Sequence, residues 1–132
     1  KLFESVNLDE HGQLAFGSRR VAGARIARSQ KGLRPFLGIL FHRFVRMMTG
    51  LPFKDTQCGF KFLNDAAKQI LVPKMTENRF SFDVEMLLIS RNEGIELHEV
   101  PVVWRHDDDS KVSVLKDGLQ MTCKIIRLRL RH

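Results

Sequence analysis

Four short stretches bring together carboxylates, cations and turn residues at spacings that chemistry could use. Asp55 opens Asp55-Thr56-Gln57-Cys58-Gly59-Phe60-Lys61, just ahead of a glycine-containing turn. A carboxylate there is either held rigidly at a strand entrance for use on a ligand or is a plain turn cap. Arg19 follows Gly17-Ser18 at the end of a predicted strand, where ligand-facing loops of open α/β sheets sit; the alternative is an ordinary solvated arginine. Asp83 and Glu85 fall in the first turn of a predicted helix, where the helix dipole alone stabilises negative charge. Being two apart, they do not share a helix face. His106-Asp107-Asp108-Asp109 offers oxygen ligands of the kind that suit Mg²⁺ or Mn²⁺, yet consecutive aspartates in a loop are ordinarily a solvated acidic patch. Cys58 and Cys123 lack the paired spacing of a zinc site, and Cys58 reads as a small packing residue.

The balance of charge says what kind of partner these groups would meet. Among 132 residues, Lys plus Arg is 22 against 15 Asp plus Glu, a net charge of +7. Such an excess implies an anionic partner: nucleic acid, an anionic membrane surface or a phosphorylated ligand. The chain is 43% hydrophobic and 28% charged, which excludes intrinsic disorder. Its length suits one modest domain. Two cysteines exclude a disulfide scaffold and fit a reducing compartment. No apolar run reaches the roughly 18 residues of a membrane span. The chain opens at Lys1 without an initiator Met, so a single partial domain over residues 1–132 is expected.

The elements that must position these groups follow from pattern. Lys1–Asn7 reads as a helix end and Leu14–Gly17 as a short strand. Val21–Gly32, with Arg25, Arg28 and Lys31, reads as a mobile basic loop. Pro35 suits the first turn of a helix. Leu37, Leu40, Phe41, Phe44 and Met48 then place one apolar face on it, until Gly50 and Pro52 end it. Cys58–Leu63 alternates as a short strand. Asn64 caps a helix over Asp65–Leu71, and Ser81 caps another over Phe82–Asn92, with Gly94 just past its end. Ile95–Trp104 is the strongest strand, and Pro101 within it argues for an edge or a bulge. Lys111–His132 is a basic amphipathic helix with Leu115, Leu119 and Ile126 on one side, although Ile126–Arg131 alternates with period two. The fold class is α/β.

Three segments, DTQCGFK (Asp55–Lys61), FSFDVEML (Phe80–Leu87) and EVPVVW (Glu99–Trp104), with Ser110-Lys111 six residues after the Trp, join Gly17-Ser18-Arg19 in a recognisable order. Together they resemble the family 2 glycosyltransferases that charge a polyprenyl phosphate with a sugar, dolichyl-phosphate β-glucosyltransferases above all and dolichyl-phosphate mannosyltransferases next. The resemblance runs from about Leu2 to Arg129. It implies the C-terminal, acceptor half of a GT-A (Rossmann-like) domain, a mixed sheet with flanking helices. Such enzymes take a nucleotide-sugar donor, UDP-glucose or GDP-mannose, and a polyprenyl-phosphate acceptor, dolichyl or undecaprenyl. An Asp-x-Asp motif binding Mg²⁺ or Mn²⁺ would lie upstream of Lys1, so no metal ligands are expected here.

On that resemblance Arg19 contacts phosphate. Arg34, which stands 21 residues before Asp55, is the second phosphate-binding arginine, with Arg28 as its competitor. The basic loop between Arg19 and Arg34 would be a lid. Asp55 and Asp83 are the catalytic carboxylates, Asp55 preferred, orienting the acceptor or sugar more than removing a proton. Gln57 would bond sugar hydroxyls, and Lys111 would contact phosphate beside Ser110. Trp104 reads as a packing residue. The helix from Pro35 and the basic tail would lie on an anionic membrane surface, at its cytoplasmic face. The competing reading is a non-catalytic basic module that binds anionic membrane or nucleic acid. Against nucleic acid, the chain has no Tyr, and its aromatics sit in apolar patterns.

Overall fold

In a computed structural model, residues 11–28, 34–78, 81–105 and 114–131 are described. The elements run β1 (Gln13–Ser18), β2 (Arg25–Arg28), α1 (Arg34–Thr49), β3 (Lys61–Leu63), α2 (Asp65–Leu71), a 3₁₀ turn (Val72–Lys74), α3 (Phe82–Asn92), β4 (Glu96–Pro101), β5 (Val103–Arg105) and α4 (Val114–Arg131). The chain is thus α/β with a mixed sheet. The expected helix end at Lys1–Asn7 lies outside the described residues.

β1 is central in the three-stranded sheet, in the order β3-β1-β4. It pairs antiparallel with β3, Leu14 opposite Leu63 and Phe16 opposite Lys61. It pairs parallel with β4, from Gln13 opposite Glu96 to Ser18 opposite Pro101. Covered on both sides, β1 is buried from Leu14 to Ser18. Leu14 and Phe16 enter the main core with Val45, Leu71, Val84 and the 86–89 run of α3, and Ile125 and Leu128 of α4. Ala15 faces the other way, against Phe62 and Val100.

Several expectations change. The strand read over Ile95–Trp104 divides at Val102, just after Pro101, which has no N–H for the ladder and stands at the end of the edge strand β4, opposite Ser18. Its second piece, β5, leaves for a separate two-stranded sheet with β2. Val21–Gly32 is therefore not simply a loop: Arg25–Arg28 is a strand, parallel to β5, with a register shift between Ile26 and Arg28. In α1, Val45 takes the core while Phe41, Phe44 and Met48 pack beside it. Leu40 is 56% exposed. Five residues from Val45, it lies about 140° around a helix of 3.6 residues per turn. The period-two tail is helix, as read; among its described side chains Ile125 and Leu128 are buried and Ile126 is exposed, while the side chains of Leu115 and Leu119 lie outside the described residues. Asn64 caps α2, accepting from Ala67 N–H at 2.9 Å. Ser81 does not cap α3: its φ of −86° and ψ of −20° are already helical, and a capping side chain needs an extended residue.

Candidate functional site

The motif residues converge at the C-terminal end of β1. Gly17 is there because nothing larger fits. A Cβ on it would lie 2.8 Å from Val102 Cγ1 and 3.0 Å from Cys58 Sγ. Its N–H donates to the Phe60 carbonyl at 2.8 Å, which draws the 55–60 turn onto the strand end. Cys58 is buried, a packing residue as its type suggested.

That approach brings Arg19 to Asp55. Arg19 Nε donates to Asp55 Oδ2 at 2.6 Å and Nη2 donates to Oδ1 at 2.9 Å. The Arg19 backbone N–H adds a third bond to Oδ2 at 3.0 Å. This is the two-pronged pairing that guanidinium geometry favours. Asp55 is 2% exposed, whereas the Arg19 side chain is 29% exposed. Burial would push the Asp55 carboxyl up, but the Arg19 fork, its charge and its N–H hold it below the usual carboxylate range. The same hydrogen bonding raises the Arg19 guanidinium against the opposing effect of burial. Arg19 also stands over the Trp104 ring, 5.4 Å from its centre. Trp104 therefore does more than pack: its face supports a cation.

Asp83 belongs to a second ion pair. Lys61 Nζ donates to Asp83 Oδ1 at 2.5 Å and to the Cys58 carbonyl at 2.7 Å. The side chains are 5% and 13% exposed. Asp83 adds to the charge that raises Arg19, so the two pairs feel each other. The two carboxylates read as candidates thus occupy one region, each held by a different cation. Glu85 turns away from both and is fully buried. Its oxygens accept from the N–H groups of Thr76 and Glu77 and from the Thr76 hydroxyl.

Gln57 is half-buried in the same turn. Arg34 is the first residue of α1, and only its backbone is described, as for Arg28 in β2. Lys111 and His106–Ser110 lie outside the described residues. Sequence reading passed over Lys61, Glu99 and His42. Lys61 and Glu99 stand inside the recognised motifs, but their partners are distant in sequence. His42 of α1 borders the site: burial first, then Arg20, lowers its imidazole from the usual value, while Asp55 and Glu99 oppose this. Among the described residues no group of His, Cys, Asp and Glu could hold a metal ion. The resemblance places the Mg²⁺ or Mn²⁺ ligands upstream of Lys1, and in this region Asp55 and Asp83 are each engaged by a side-chain cation. A groove of about 550 Å³ at the end of α1 is lined by Arg43, Arg46, Met47, Gly50, Leu51 and Pro52 and includes none of the motif residues.

No family model matches the chain, and no solved structure matches it. Known proteins do. It is 36% identical over 100 residues to the dolichyl-phosphate β-glucosyltransferase of Dictyostelium discoideum, covering 76% of this chain and 31% of that protein. It is 30% identical over 120 residues to the enzyme of the same name from Saccharomyces cerevisiae, covering 90% and 36%. Against the glycosyltransferase AglD of Haloferax volcanii it is 32% identical over 87 residues, covering 66% and 14%. The chain spans about a third of the length of its dolichyl-phosphate glucosyltransferase relatives. With the motif residues gathered at one strand end and these likenesses across most of its length, the chain belongs to the family 2 glycosyltransferases of the dolichyl-phosphate β-glucosyltransferase type.

Proposed function

We propose that this protein transfers glucose from a nucleotide-sugar, UDP-glucose, to a polyprenyl phosphate at a membrane surface, with inversion, and that these residues are the acceptor half of a GT-A domain. The observation that carries the reading is the Arg19–Asp55 fork at the end of β1. A phosphate oxygen of the acceptor attacks the anomeric carbon; the bond from that carbon to the nucleotide diphosphate breaks, and the diphosphate leaves with the electron pair. The acceptor phosphate is already ionised near neutral pH, so little base strength is needed. Asp55, with both oxygens on Arg19, suits orientation of that cation better than proton removal. Arg19 then meets the phosphate with its remaining donors, a charge-assisted contact. Arg34 and Lys111 add further cations, and Gln57 meets sugar hydroxyls. Mg²⁺ or Mn²⁺ is left to ligands outside the described residues, and no step here uses it.

The membrane part of the reading rests on α1. Phe36, Ile39, Leu40 and Met47 are exposed on it, beside exposed Arg43 and Arg46. An apolar helix face that also carries arginines suits an anionic bilayer surface, on the cytoplasmic side. No helix among the described residues is long and apolar enough to cross a membrane.

The test is transfer of labelled glucose by the full-length protein to polyprenyl phosphate, followed by extraction of the lipid. A glucosyl lipid is expected with UDP-glucose. Absence of lipid product with both UDP-glucose and GDP-mannose would contradict the reading.

A further inference from the structure

Glu99 stands on β4 opposite Phe16 of β1. Its carboxylate reaches across to the segment that carries Asp55. Oε1 accepts from the Lys54 N–H at 2.9 Å and from the Asp55 N–H at 2.8 Å, and Oε2 accepts from Lys54 at 3.1 Å. A carboxylate on two consecutive main-chain amides is a charge-assisted clamp. The clamp is placed where regular structure is absent: between α1 and β3, residues 50–60 belong to no helix or strand. β4 does not need Glu99 for its own place, because six register pairs already hold it to β1. What the clamp fixes is the main chain at Asp55, and through that side chain the fork on Arg19.

We propose that Glu99 is a positioning residue for transfer: it presets the Asp55–Arg19 fork from behind, without touching either substrate. The proposal rests on the reading of Arg19 as the acceptor-phosphate contact. Its consequence is selective. Loosening the 54–55 main chain lets Arg19 swing away from one orientation, which weakens the phosphate contact and leaves the donor untouched.

The test uses the full-length protein with Glu99→Ala, which keeps no acceptor, and Glu99→Gln, which keeps one oxygen for an amide. KM for polyprenyl phosphate, KM for the nucleotide-sugar, kcat and melting temperature are measured together. Glu99→Ala is expected to raise the acceptor KM about tenfold, the scale of one lost charge-assisted hydrogen bond, with the donor KM unchanged. Glu99→Gln should recover most of that. Equal changes in both KM values, or a lower melting temperature with both unchanged, would overturn the proposal and leave a structural staple. A second measurement needs no turnover: hydrogen exchange of the Arg19 Nε–H, read by NMR. It should quicken in Glu99→Ala and stay slow in Glu99→Gln; equal rates in wild type and Glu99→Ala would overturn the proposal. Inactive wild-type protein would instead count against the glycosyl-transfer reading, and the exchange measurement would still decide the role of Glu99.

Discussion

Lys61 carries its ammonium into a nearly closed space between Asp83 and the Cys58 carbonyl. Removing one partner of such a pair leaves a buried charge with nothing to offset it. Lys61→Met should therefore cost about 3–5 kcal/mol of stability. Adding Asp83→Asn should return part of that loss, because the uncompensated charge goes with it; urea unfolding of the two single variants and the double variant measures the coupling. Additive losses would mean that the pair contributes nothing as a pair. At this scale the sequence was informative about which residue types matter and silent about who meets whom. Arg19, Asp55 and Asp83 were legible as candidates from their motifs. That Asp55 is paired with Arg19, and Asp83 with Lys61, was not, since the partners lie 36 and 22 residues apart. Those pairings depend on Gly17 admitting the 55–60 turn, a steric fact that appears only once Val102 and Cys58 are in place.

Among the elements, α2 shows how local chemistry and tertiary structure are tied at one residue. Asn64 Oδ1 accepts from Ala67 N–H and also from Gln13 N–H at the start of β1, each at 2.9 Å. Its Nδ2 donates to the His11 carbonyl at 2.7 Å. Asn64→Ala loses the cap and both links, and should lower stability by about 1–2 kcal/mol in thermal unfolding. Asn64→Asp keeps the acceptors and loses the donor, so its melting temperature should fall between the two. A melting temperature for Asn64→Asp as low as for alanine would show that the His11 link dominates. The cap was legible because its signal is a residue type at a helix start. The helices from Arg34, Asp65, Phe82 and the basic tail were legible for a similar reason, their turn-by-turn patterns. β2 was not, because its pairing with β5 is set by where Pro101 ends β4, and nothing within Arg25–Arg28 encodes that distant break. The exposure of Leu40 escaped for a related reason: α1 is apolar on two faces, and periodicity does not choose which one meets the core.

At the scale of the whole molecule, Glu85 ties three pieces together. It holds Thr76 and Glu77; Thr76 in turn accepts from Arg131 of α4, and Glu77 pairs with Lys124 of the same helix. Burial would raise the Glu85 carboxyl, but the N–H groups of Glu77 and Thr76 and the Thr76 hydroxyl bring it below the usual 4.5. A carboxylate depressed in the folded state stabilises the fold above its unfolded value, and that contribution disappears as pH falls through the folded value. Stability should thus drop as pH falls below about 4.5, and Glu85→Gln should flatten that part of the curve while melting lower near pH 7. An unchanged slope below that pH would assign acid sensitivity to other carboxylates. The exposed face of α1 makes a separate claim on the whole molecule. Vesicles rich in anionic lipid should bind the protein, binding should weaken with salt, and Phe36→Ser with Leu40→Ser should weaken it further. Binding indifferent to both substitutions would move the contact elsewhere. The central claim is that Arg19, held by Asp55, binds the acceptor phosphate during sugar transfer. The most direct measurement is kcat/KM for polyprenyl phosphate in full-length protein carrying Arg19→Ala, Asp55→Asn, or both. If the two act as one unit, each single change should lower it by about two orders of magnitude, and the double change should be no worse than Arg19→Ala alone. Losses that multiply in the double variant, or an Asp55→Asn protein of near-normal turnover, would contradict the account.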